Sequence, residues 1–253
     1  MIPMNARTPR RPDCPALPRL QVVLLAAGFS SRLGRPKALV RVGALSLLRR
    51  SLILAAPLSP CPVGVVVPPC AHRYRGEARR IGVRFIVNRE RAAGLSTSVR
   101  RGIAAARFAS AVLIVPVDLA GLSRRDLIRL VRRWRAAPRR LTARRISSSR
   151  VRPGGPRARG GVPLILPKWL FGRALEASGD AGLRDIIDSL SPQTVTLVDL
   201  PSAELDVDTA DDLAEARRRW LRGGAGAILP TPRGQGLCTS RYPTAVSVRM
   251  CLG

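Results

Sequence analysis

Three aspartates are the residues of this sequence best placed to hold a metal ion. Asp118 ends the apolar run AVLIVPVD, and Asp206 and Asp208 stand two residues apart in ELDVDTADDLAEA. A carboxylate at the end of a buried strand can bind Mg²⁺ together with substrate phosphates, because Mg²⁺ prefers oxygen ligands. Side chains two residues apart in an extended segment point the same way. We therefore predict a Mg²⁺ site formed by Asp118, Asp206 and Asp208, with Asp118 as a catalytic residue.

Two of these aspartates also have purely structural interpretations. Asp118 fits a turn that follows the strand, a position where aspartate is common. Asp208 fits the N-terminal cap of the helix predicted from TADDLAEA. We favour metal binding for Asp206 and leave Asp208 shared between metal binding and capping.

The stretch VVLLAAGFSSRLGRPK, residues 22–37, has the composition of a phosphate-binding loop. Gly28 and Gly34 let backbone N–H groups approach an anion closely, Ser30 adds a donor, and Arg32 and Lys37 add positive charge. The glycine spacing differs from that of the Walker loop and of the dinucleotide-binding fingerprint. The alternative is an ordinary glycine-rich turn between a strand and a helix.

Lys37 carries information because lysine is rare in this chain. Of the 44 lysine and arginine residues, only Lys37 and Lys168 are lysines. Where arginine is the default cation, a retained lysine indicates a need for a compact point charge that the planar guanidinium cannot replace. We therefore predict a catalytic role for Lys37 on the phosphates.

A second candidate for anion binding lies in the segment GLSTSVRRGI. Gly94 allows close approach of the backbone, and Ser96 and Ser98 lie before or within the first turn of a predicted helix. The N-terminus of a helix attracts anions. The alternative is that either serine simply caps the helix.

Short apolar runs alternate with helical patterns through most of the chain. The runs QVVLLA, VGVVVP, VRFIVN and AVLIVPVD read as strands, and each is followed by a helical pattern. Continuous apolar strands suit burial on both faces. This order predicts an α/β fold with a mainly parallel central sheet and helices on both faces. Ligands bind such sheets beyond the carboxyl ends of the strands, where Asp118 and the loop after the first strand lie.

After Pro138 the alternation is lost, and the segment LTARRISSSRVRPGGPRARGGVPLILP predicts an irregular or hairpin excursion. A helix, LRDIIDSL, and a last strand, TVTLVDL, follow it. We expect one domain over residues 19–222. Residues 1–18 are rich in proline and arginine and residues 223–253 show no lasting periodicity, so we expect a disordered N-terminal tail and a poorly structured C-terminal tail.

Composition limits the classes of partner. The formal net charge is +28, but arginines are spread along the chain with only 4% aromatic residues, so solvated surfaces are favoured over a nucleic-acid groove. No apolar run reaches the length of a membrane span. The five cysteines form no CxxC pair, which fits a reducing cytoplasm. A serine hydrolase is disfavoured, because its triad could draw only on the single histidine, His72.

The motif LLAAGFSSRLGRPK closely resembles the signature LAAGxSxRxGxPK of the MobA-like nucleotidyltransferases, particularly the molybdenum cofactor cytidylyltransferases. Further blocks in the same order extend the resemblance from about Val22 to Trp220, among them NRERAAGLSTSVRRGI, LIVPVDLAGLS and ELDVDTADDLAEA. The resemblance implies a Rossmann-like nucleotidyltransferase fold. It also implies Mg²⁺-dependent transfer of a nucleotidyl group from a nucleoside triphosphate to a phosphorylated acceptor, with release of pyrophosphate.

The resemblance also implies which residues and partners take part. The cytidylyl branch typically carries LAAG, as here, where the guanylyl branch carries LAGG, so CTP is favoured as the donor and molybdopterin as the acceptor. A molybdoenzyme or its maturation chaperone is the implied protein partner. Arg32, Lys37 and Asp118 are the implied catalytic residues. The implied nucleotide-binding residues are Leu25, Ala26, Ala27, Gly28, Ser30, Gly34, Lys37, Asn88, Gly94, Ser96 and Ser98.

Three alternatives stay open at the level of sequence. The first is a related transferase that uses another nucleotide, or a sugar or alcohol phosphate as acceptor. The second is a basic nucleic-acid-binding protein without catalysis, which predicts steeply salt-dependent binding to any duplex. The third is a member of the family that binds nucleotide without turnover.

Overall fold

The structure is a computed structural model that describes residues 19–146, 159–179 and 182–223. The predicted tails, residues 1–18 and 223–253, lie outside these ranges apart from Gly223, which ends the last helix. Within the described ranges the strands are β1 (Leu20–Leu25), β2 (Arg41–Val42), β3 (Leu45–Ser46), β4 (Val63–Val67), β5 (Val83–Val87), β6 (Ala111–Pro116), β7 (Leu141–Ile146), β8 (Arg159–Pro167) and β9 (Val195–Val198). The α-helices are α1 (Leu47–Ala55), α2 (His72–Arg75), α3 (Leu95–Ala105), α4 (Arg124–Ala136), α5 (Phe171–Glu176), α6 (Gly182–Asp188) and α7 (Ala210–Gly223).

Seven of the described strands form one sheet in the order β5-β4-β1-β6-β8-β7-β9. The pairs β1 with β4, β1 with β6, β4 with β5 and β7 with β9 are parallel. Only β8 runs against its neighbours, pairing antiparallel with both β6 and β7. The prediction of a mainly parallel α/β sheet is confirmed, and the excursion after Pro138 is a β7–β8 hairpin in the described residues.

Alternate residues of the central strands pack into two separate cores. In β1, Val22 and Leu24 join a core with α1 and α4, while Val23 and Leu25 join a core with α3, α5 and α6. This division follows from the period of two along a strand, because successive side chains point to opposite faces. The predicted apolar face of α4 is buried in the first core, where its members are Leu127, Leu130, Val131 and Trp134.

A third, smaller core packs the β2–β3 hairpin against α7 and the segments that follow Asp118 and Asp206. The β2–β3 hairpin contributes Val42, and α7 contributes Leu213 and Ala216. Ala120 and Val207, which follow Asp118 and Asp206, are buried in the same cluster. This packing draws the segment after β6 and the segment before α7 together.

Several local elements differ from the sequence prediction. The helix expected from YRGEARRIG is only the four-residue α2 followed by a 3₁₀ turn at Gly76–Ala78. The hairpin β2–β3 and the helix α5 were not predicted. Within the described ranges, no helix combines the length and the apolar character needed to cross a bilayer.

Candidate active site

A cavity of about 290 Å³ opens at the carboxyl ends of β1 and β6 and beside the start of α3. The ends of these strands meet at one edge because the strands are parallel, and so the loops that follow them face each other. The charged residues of the lining are Lys37, Arg91 and Asp118. The lining includes most of the residues predicted to bind nucleotide, namely Leu25, Ala26, Ala27, Gly28, Ser30, Lys37, Gly94 and Ser98.

The loop after β1 folds back on itself and returns Lys37 to the cavity. Ser30 adopts a left-handed conformation with φ 55°, and its Oγ accepts a hydrogen bond of 2.9 Å from the Lys37 backbone N–H. Gly34 ends a 3₁₀ turn with φ 65°, a conformation that favours glycine. Gly34 and the exposed Arg32 lie outside the lining of the cavity, so the predicted catalytic Arg32 does not face it.

The three predicted metal ligands lie together. Asp118, Asp206 and Asp208 each offer a carboxylate oxygen, and these oxygens all lie within 4.8 Å of one another. The backbone brings them together, because Leu119 forms a bridge with Asp206 and the Val207 N–H donates to the Asp118 carbonyl at 3.1 Å. Residues 88 positions apart in sequence thus form one acidic cluster.

Lys37 contacts two carboxylates of this cluster. Its ammonium donates a hydrogen bond to Asp208 Oδ1 and lies 3.8 Å from Asp118 Oδ2. The positive charge offsets part of the repulsion among the carboxylates. Lys37 is therefore positioned between the acidic cluster and the cavity that it also lines.

Burial and mutual repulsion perturb the acidic cluster strongly. Burial, with the neighbouring Asp206 carboxylate, raises the pKa of Asp118 to about 7, although Lys37 acts in the opposite direction. Burial and the nearby Asp208 also raise the pKa of Asp206. Carboxylates held close together at raised pKa values are typical of functional sites, because a bound cation relieves the repulsion.

The residues present fit a divalent cation. Asp206 Oδ1 is buried and finds no hydrogen-bond partner among the described residues. A buried acceptor without a partner is costly, and a cation supplies the missing interaction. With three carboxylates in reach, Asp118, Asp206 and Asp208 are the residues that would hold the ion.

The capping prediction for Asp208 is wrong. The side chain of Thr209 caps α7, since Thr209 Oγ1 accepts from the Asp212 N–H at 3.2 Å. Asp212 Oδ2 accepts in return from the backbone N–H groups of Thr209 at 2.8 Å and Asp208 at 3.0 Å. This reciprocal pair is a capping box that begins at Thr209, one residue after the predicted cap. The Asp208 carboxylate takes no part in the cap and contacts Lys37 instead.

The predicted nucleotide-binding residues near α3 occupy different positions. Ser98 lines the cavity, whereas Asn88 and Ser96 are buried outside its lining. Asn88 Nδ2 donates to Thr97 Oγ1 and Ser98 Oγ, both at 2.9 Å. Asn88 therefore ties the end of β5 to the first turn of α3 and orients Ser98 from behind.

Gly94 sets the approach of α3 to this edge of the sheet. Its φ of 97° is a backbone conformation that residues with a side chain rarely adopt. Gly94 immediately precedes α3. The turn places Leu95 at the mouth of two cavities, one of which is the cavity beside Lys37. The glycine prediction thus corresponds to a backbone that only glycine adopts easily.

A larger cavity of about 780 Å³ lies on the other side of Asp118. Asp118, Leu95 and Pro116 line both cavities, and Asp206 lines the larger one. The larger cavity extends along β7, β8 and α6. Its cationic lining residues are Arg144, Arg159 and Arg184.

Sequence reasoning missed Arg91 and Phe29. The Arg91 guanidinium lies 4.2 Å from the centre of the Phe29 ring, and its Nη1 donates to the Ala27 carbonyl at 3.4 Å. Both residues line the smaller cavity. Arg91 stands just before Gly94 in the loop after β5, but in so arginine-rich a chain its residue type alone did not distinguish it.

Comparison with known proteins gives a family and a named relative. Residues 22–195 match the family described as the MobA-like NTP transferase domain. The chain is 32% identical over 202 residues to nicotine blue oxidoreductase of Paenarthrobacter nicotinovorans, with 78% of this chain and 96% of that protein covered.

Two solved structures share the fold. A nucleotidyl transferase from Methanothermobacter thermautotroptrophicus is similar at a TM-score of 0.62 and 18% identity, covering 81% of this chain and 99% of that chain. Rv0371C of Mycobacterium tuberculosis H37Rv in complex with manganese is similar at a TM-score of 0.59 and 22% identity, covering 79% of this chain and 98% of that chain.

Proposed function

The chain belongs to the family of MobA-like NTP transferase domains, and from this membership we propose that it transfers CMP from CTP to molybdopterin, a phosphorylated acceptor, and releases pyrophosphate. Nucleotidyl transfer is the chemistry that the family name describes. The choice of CTP and of molybdopterin rests on the resemblance of the LAAG motif to the cytidylyl branch.

One observation carries the proposal. The acidic cluster of Asp118, Asp206 and Asp208 lies where a small cavity meets a large one, and Asp118 lines both. A transferase must hold two substrates with their reacting atoms in contact, so two cavities that share one wall are the expected arrangement. We assign the triphosphate to the cavity of about 290 Å³ and the acceptor to the cavity of about 780 Å³.

Each group of residues has a distinct task in this mechanism. The loop from Ala26 to Ser30 surrounds the triphosphate, and the Lys37 ammonium balances negative charge on it. Arginines of the large cavity balance the charge of the acceptor phosphate. Mg²⁺ bound to Asp118, Asp206 and Asp208 would neutralise phosphate oxygens. The Rv0371C complex contains manganese, which supports divalent-metal use in this fold.

The bond changes follow from these positions. An oxygen of the acceptor phosphate forms a bond to the α-phosphorus of CTP, and the bond from that phosphorus to the bridging oxygen of the β-phosphate breaks. Pyrophosphate carries away the electron pair. This chemistry depends on alignment and charge stabilisation, so it requires no histidine as a base.

The proposal is tested by an assay over donors and acceptors. The purified protein is incubated with Mg²⁺, each of the four nucleoside triphosphates and molybdopterin, a sugar phosphate or an alcohol phosphate, and pyrophosphate release is followed. We expect release with CTP and molybdopterin. Faster release with another pair would assign the chain to a related transferase, and binding without release would identify a family member that lacks turnover.

The proposal also extends to the surroundings of the enzyme. A cytidylated cofactor has to be passed on, so a molybdoenzyme or its maturation chaperone is the proposed protein partner. We place the reaction in the cytoplasm, consistent with five cysteines that form no CxxC pair.

A second candidate function comes from the relative named nicotine blue oxidoreductase, which is 32% identical to this chain. Under this alternative, the same two cavities hold nicotine blue and an electron donor, for which NADH and NADPH serve as probes. The test is the absorbance of NADH or NADPH, and of nicotine blue, in the presence of the protein. Cofactor oxidation that depends on the dye and survives in Asp118→Asn would favour this second function.

A further inference from the structure

Arg91 is the charged residue of the small cavity that the proposed mechanism does not use. It belongs to the loop after β5 and reaches the loop after β1, where it contacts the Phe29 ring and the Ala27 carbonyl. The two loops are therefore joined across the cavity by a guanidinium group. Phe29 is 54% exposed, so this junction lies at the mouth of the cavity.

The small cavity has only two lining cations, Lys37 and Arg91, among the described residues that could balance the charge of a polyphosphate. Lys37, the other cation of the lining, already contacts Asp208 and lies close to Asp118. Within the described residues, no carboxylate lies within ion-pair distance of Arg91. Arg91 is thus the cation of this lining whose charge is not balanced by an acid.

The present contacts of Arg91 are weak enough to be exchanged. Its hydrogen bond to Ala27 is long at 3.4 Å and goes to a neutral carbonyl. The stacking on Phe29 occurs at an exposed position, where cation–π attraction is small. A hydrogen bond between a guanidinium and a phosphate is stronger, because both partners are charged and two N–H groups can donate at once.

We infer that Arg91 binds the polyphosphate chain of the nucleoside triphosphate, with Phe29 holding the guanidinium over the mouth of the cavity. The inference rests on the proposed function, because it requires a triphosphate in the small cavity. The sequence motif instead implied that Arg32, in the loop after β1, is the arginine that acts on the phosphates. Arg32 is exposed and lies outside the lining.

The role of Phe29 gives the inference a second consequence. The ring supports a planar guanidinium by stacking, and a lysine ammonium would not be held in the same plane. Arg91→Lys should therefore recover only part of the binding. Phe29→Leu should weaken triphosphate binding less than Arg91→Gln, because the charge is kept and only its support is lost.

The test is calorimetric titration of the full chain, in Mg²⁺ buffer of fixed ionic strength, with the tightest-binding common nucleoside triphosphate and with its monophosphate. Arg91→Gln should weaken triphosphate binding about 10- to 100-fold, as expected for loss of a charge-assisted hydrogen bond. Monophosphate binding should weaken less than about 3-fold, because most of the charge is absent from that ligand.

Arg89→Gln is the matched control, since Arg89 is exposed, lies two residues away and does not line the cavity. It should change triphosphate binding less than about 2-fold. Equal losses in Arg89→Gln and Arg91→Gln would reduce the effect to general surface charge and overturn the inference. Equal losses for triphosphate and monophosphate in Arg91→Gln would also overturn it.

Failure of the proposed function gives a different result. If the wild-type protein binds none of the four triphosphates, the proposed function and the inference fall together. If wild-type binding is normal and Arg91→Gln matches it, only the inference falls. Should Arg91→Gln fold poorly, as judged by its melting temperature, Arg91→Lys and Phe29→Leu supply the same comparison.

Discussion

The Lys37 ammonium lies beside the Asp118 carboxylate and influences its pKa. Lys37 lowers the pKa of Asp118, but burial and Asp206 still raise it to about 7. The ammonium in turn contacts the carboxylates of Asp118 and Asp208. We expect substitutions at either residue to affect function more than folding.

Lys37→Ala should lower the rate of triphosphate use by about 100-fold or more, because it removes a charge from both the cavity and the acidic cluster. Lys37→Arg should recover only part of this loss, since the broad guanidinium has to fit where an ammonium contacts Asp208 directly. Steady-state pyrophosphate release measures the effect, and Lys168→Ala is a control outside both cavities. Full activity of Lys37→Arg would refute the need for a compact charge.

Asp118→Asn should stabilise the metal-free protein at high pH. The folded state keeps the Asp118 proton up to about pH 7, whereas the unfolded chain loses it near pH 4. The folded state therefore binds more protons between these values, and wild-type stability falls as pH rises through this window. An asparagine carries no such proton, so the variant lacks this part of the pH dependence.

Melting curves in EDTA at pH 4, 6 and 8 test this expectation. The variant should match the wild type near pH 4 and melt about 2–4 °C higher at pH 8, as for about 1 kcal/mol of relieved repulsion. Glu176→Gln, at an exposed position, is the control for loss of a carboxylate. A lower melting temperature for Asp118→Asn at every pH would instead identify a structural aspartate.

Among the elements, the start of α7 fixes the geometry of the acidic cluster. Asp212 accepts hydrogen bonds from the backbone of Asp208 and Thr209, so the capping box also holds the segment that carries Asp208. The Thr209 hydrogen bonds lower the pKa of Asp212, which keeps this carboxylate charged. A helix cap thus supports a candidate metal ligand.

Asp212→Ala should cost about 1 kcal/mol of unfolding free energy, because it removes the acceptor of the capping box. Asp211→Ala is the matched control, since Asp211 is an exposed neighbour in the same helical turn and carries the same charge. Urea denaturation measures the unfolding free energy of both variants. The difference between them gives the contribution of the capping hydrogen bonds, because both variants lose the same charge near the helix N-terminus. Equal losses would mean that the cap contributes nothing beyond charge.

The strands that position the site could be predicted because their sequence signal is strong. β4 and β6 are continuous apolar runs, β1 is apolar except for Gln21, and Asp118 follows β6. The hairpin β2–β3 could not be predicted, since each strand has two residues and no periodicity. The direction of β8 depends on its pairing with β6, which no local pattern specifies.

The candidate site was predictable where a residue type is rare or a spacing is specific. Lys37 and the aspartates met that condition in a chain of few lysines and few acids. Arg91 did not, because arginine is the default cation here. Asn88 was expected to face the nucleotide, but its side chain contacts Thr97 and Ser98, and only tertiary structure gives that information.

At the scale of the whole molecule, the described residues form three packed cores. Their members run from Leu20 to Trp220, and strand β1 and helix α7 supply the first and last of them. We expect a shortened chain of residues 19–223 to fold and to retain activity, because it keeps every one of these core residues. Circular dichroism and pyrophosphate release on the shortened chain test this. Loss of the folded state would show that residues outside this range contribute to the core.

The central claim is that an acidic cluster between two cavities performs nucleotidyl transfer. The most direct measurement uses CTP labelled at the α-phosphate, molybdopterin and Mg²⁺, and follows the label together with the pyrophosphate released. The account predicts that label appears on the acceptor in equal amount to pyrophosphate, and that Asp118→Asn lowers the rate by orders of magnitude. Label transfer by Asp118→Asn at the wild-type rate, or pyrophosphate release without labelled acceptor, would contradict it.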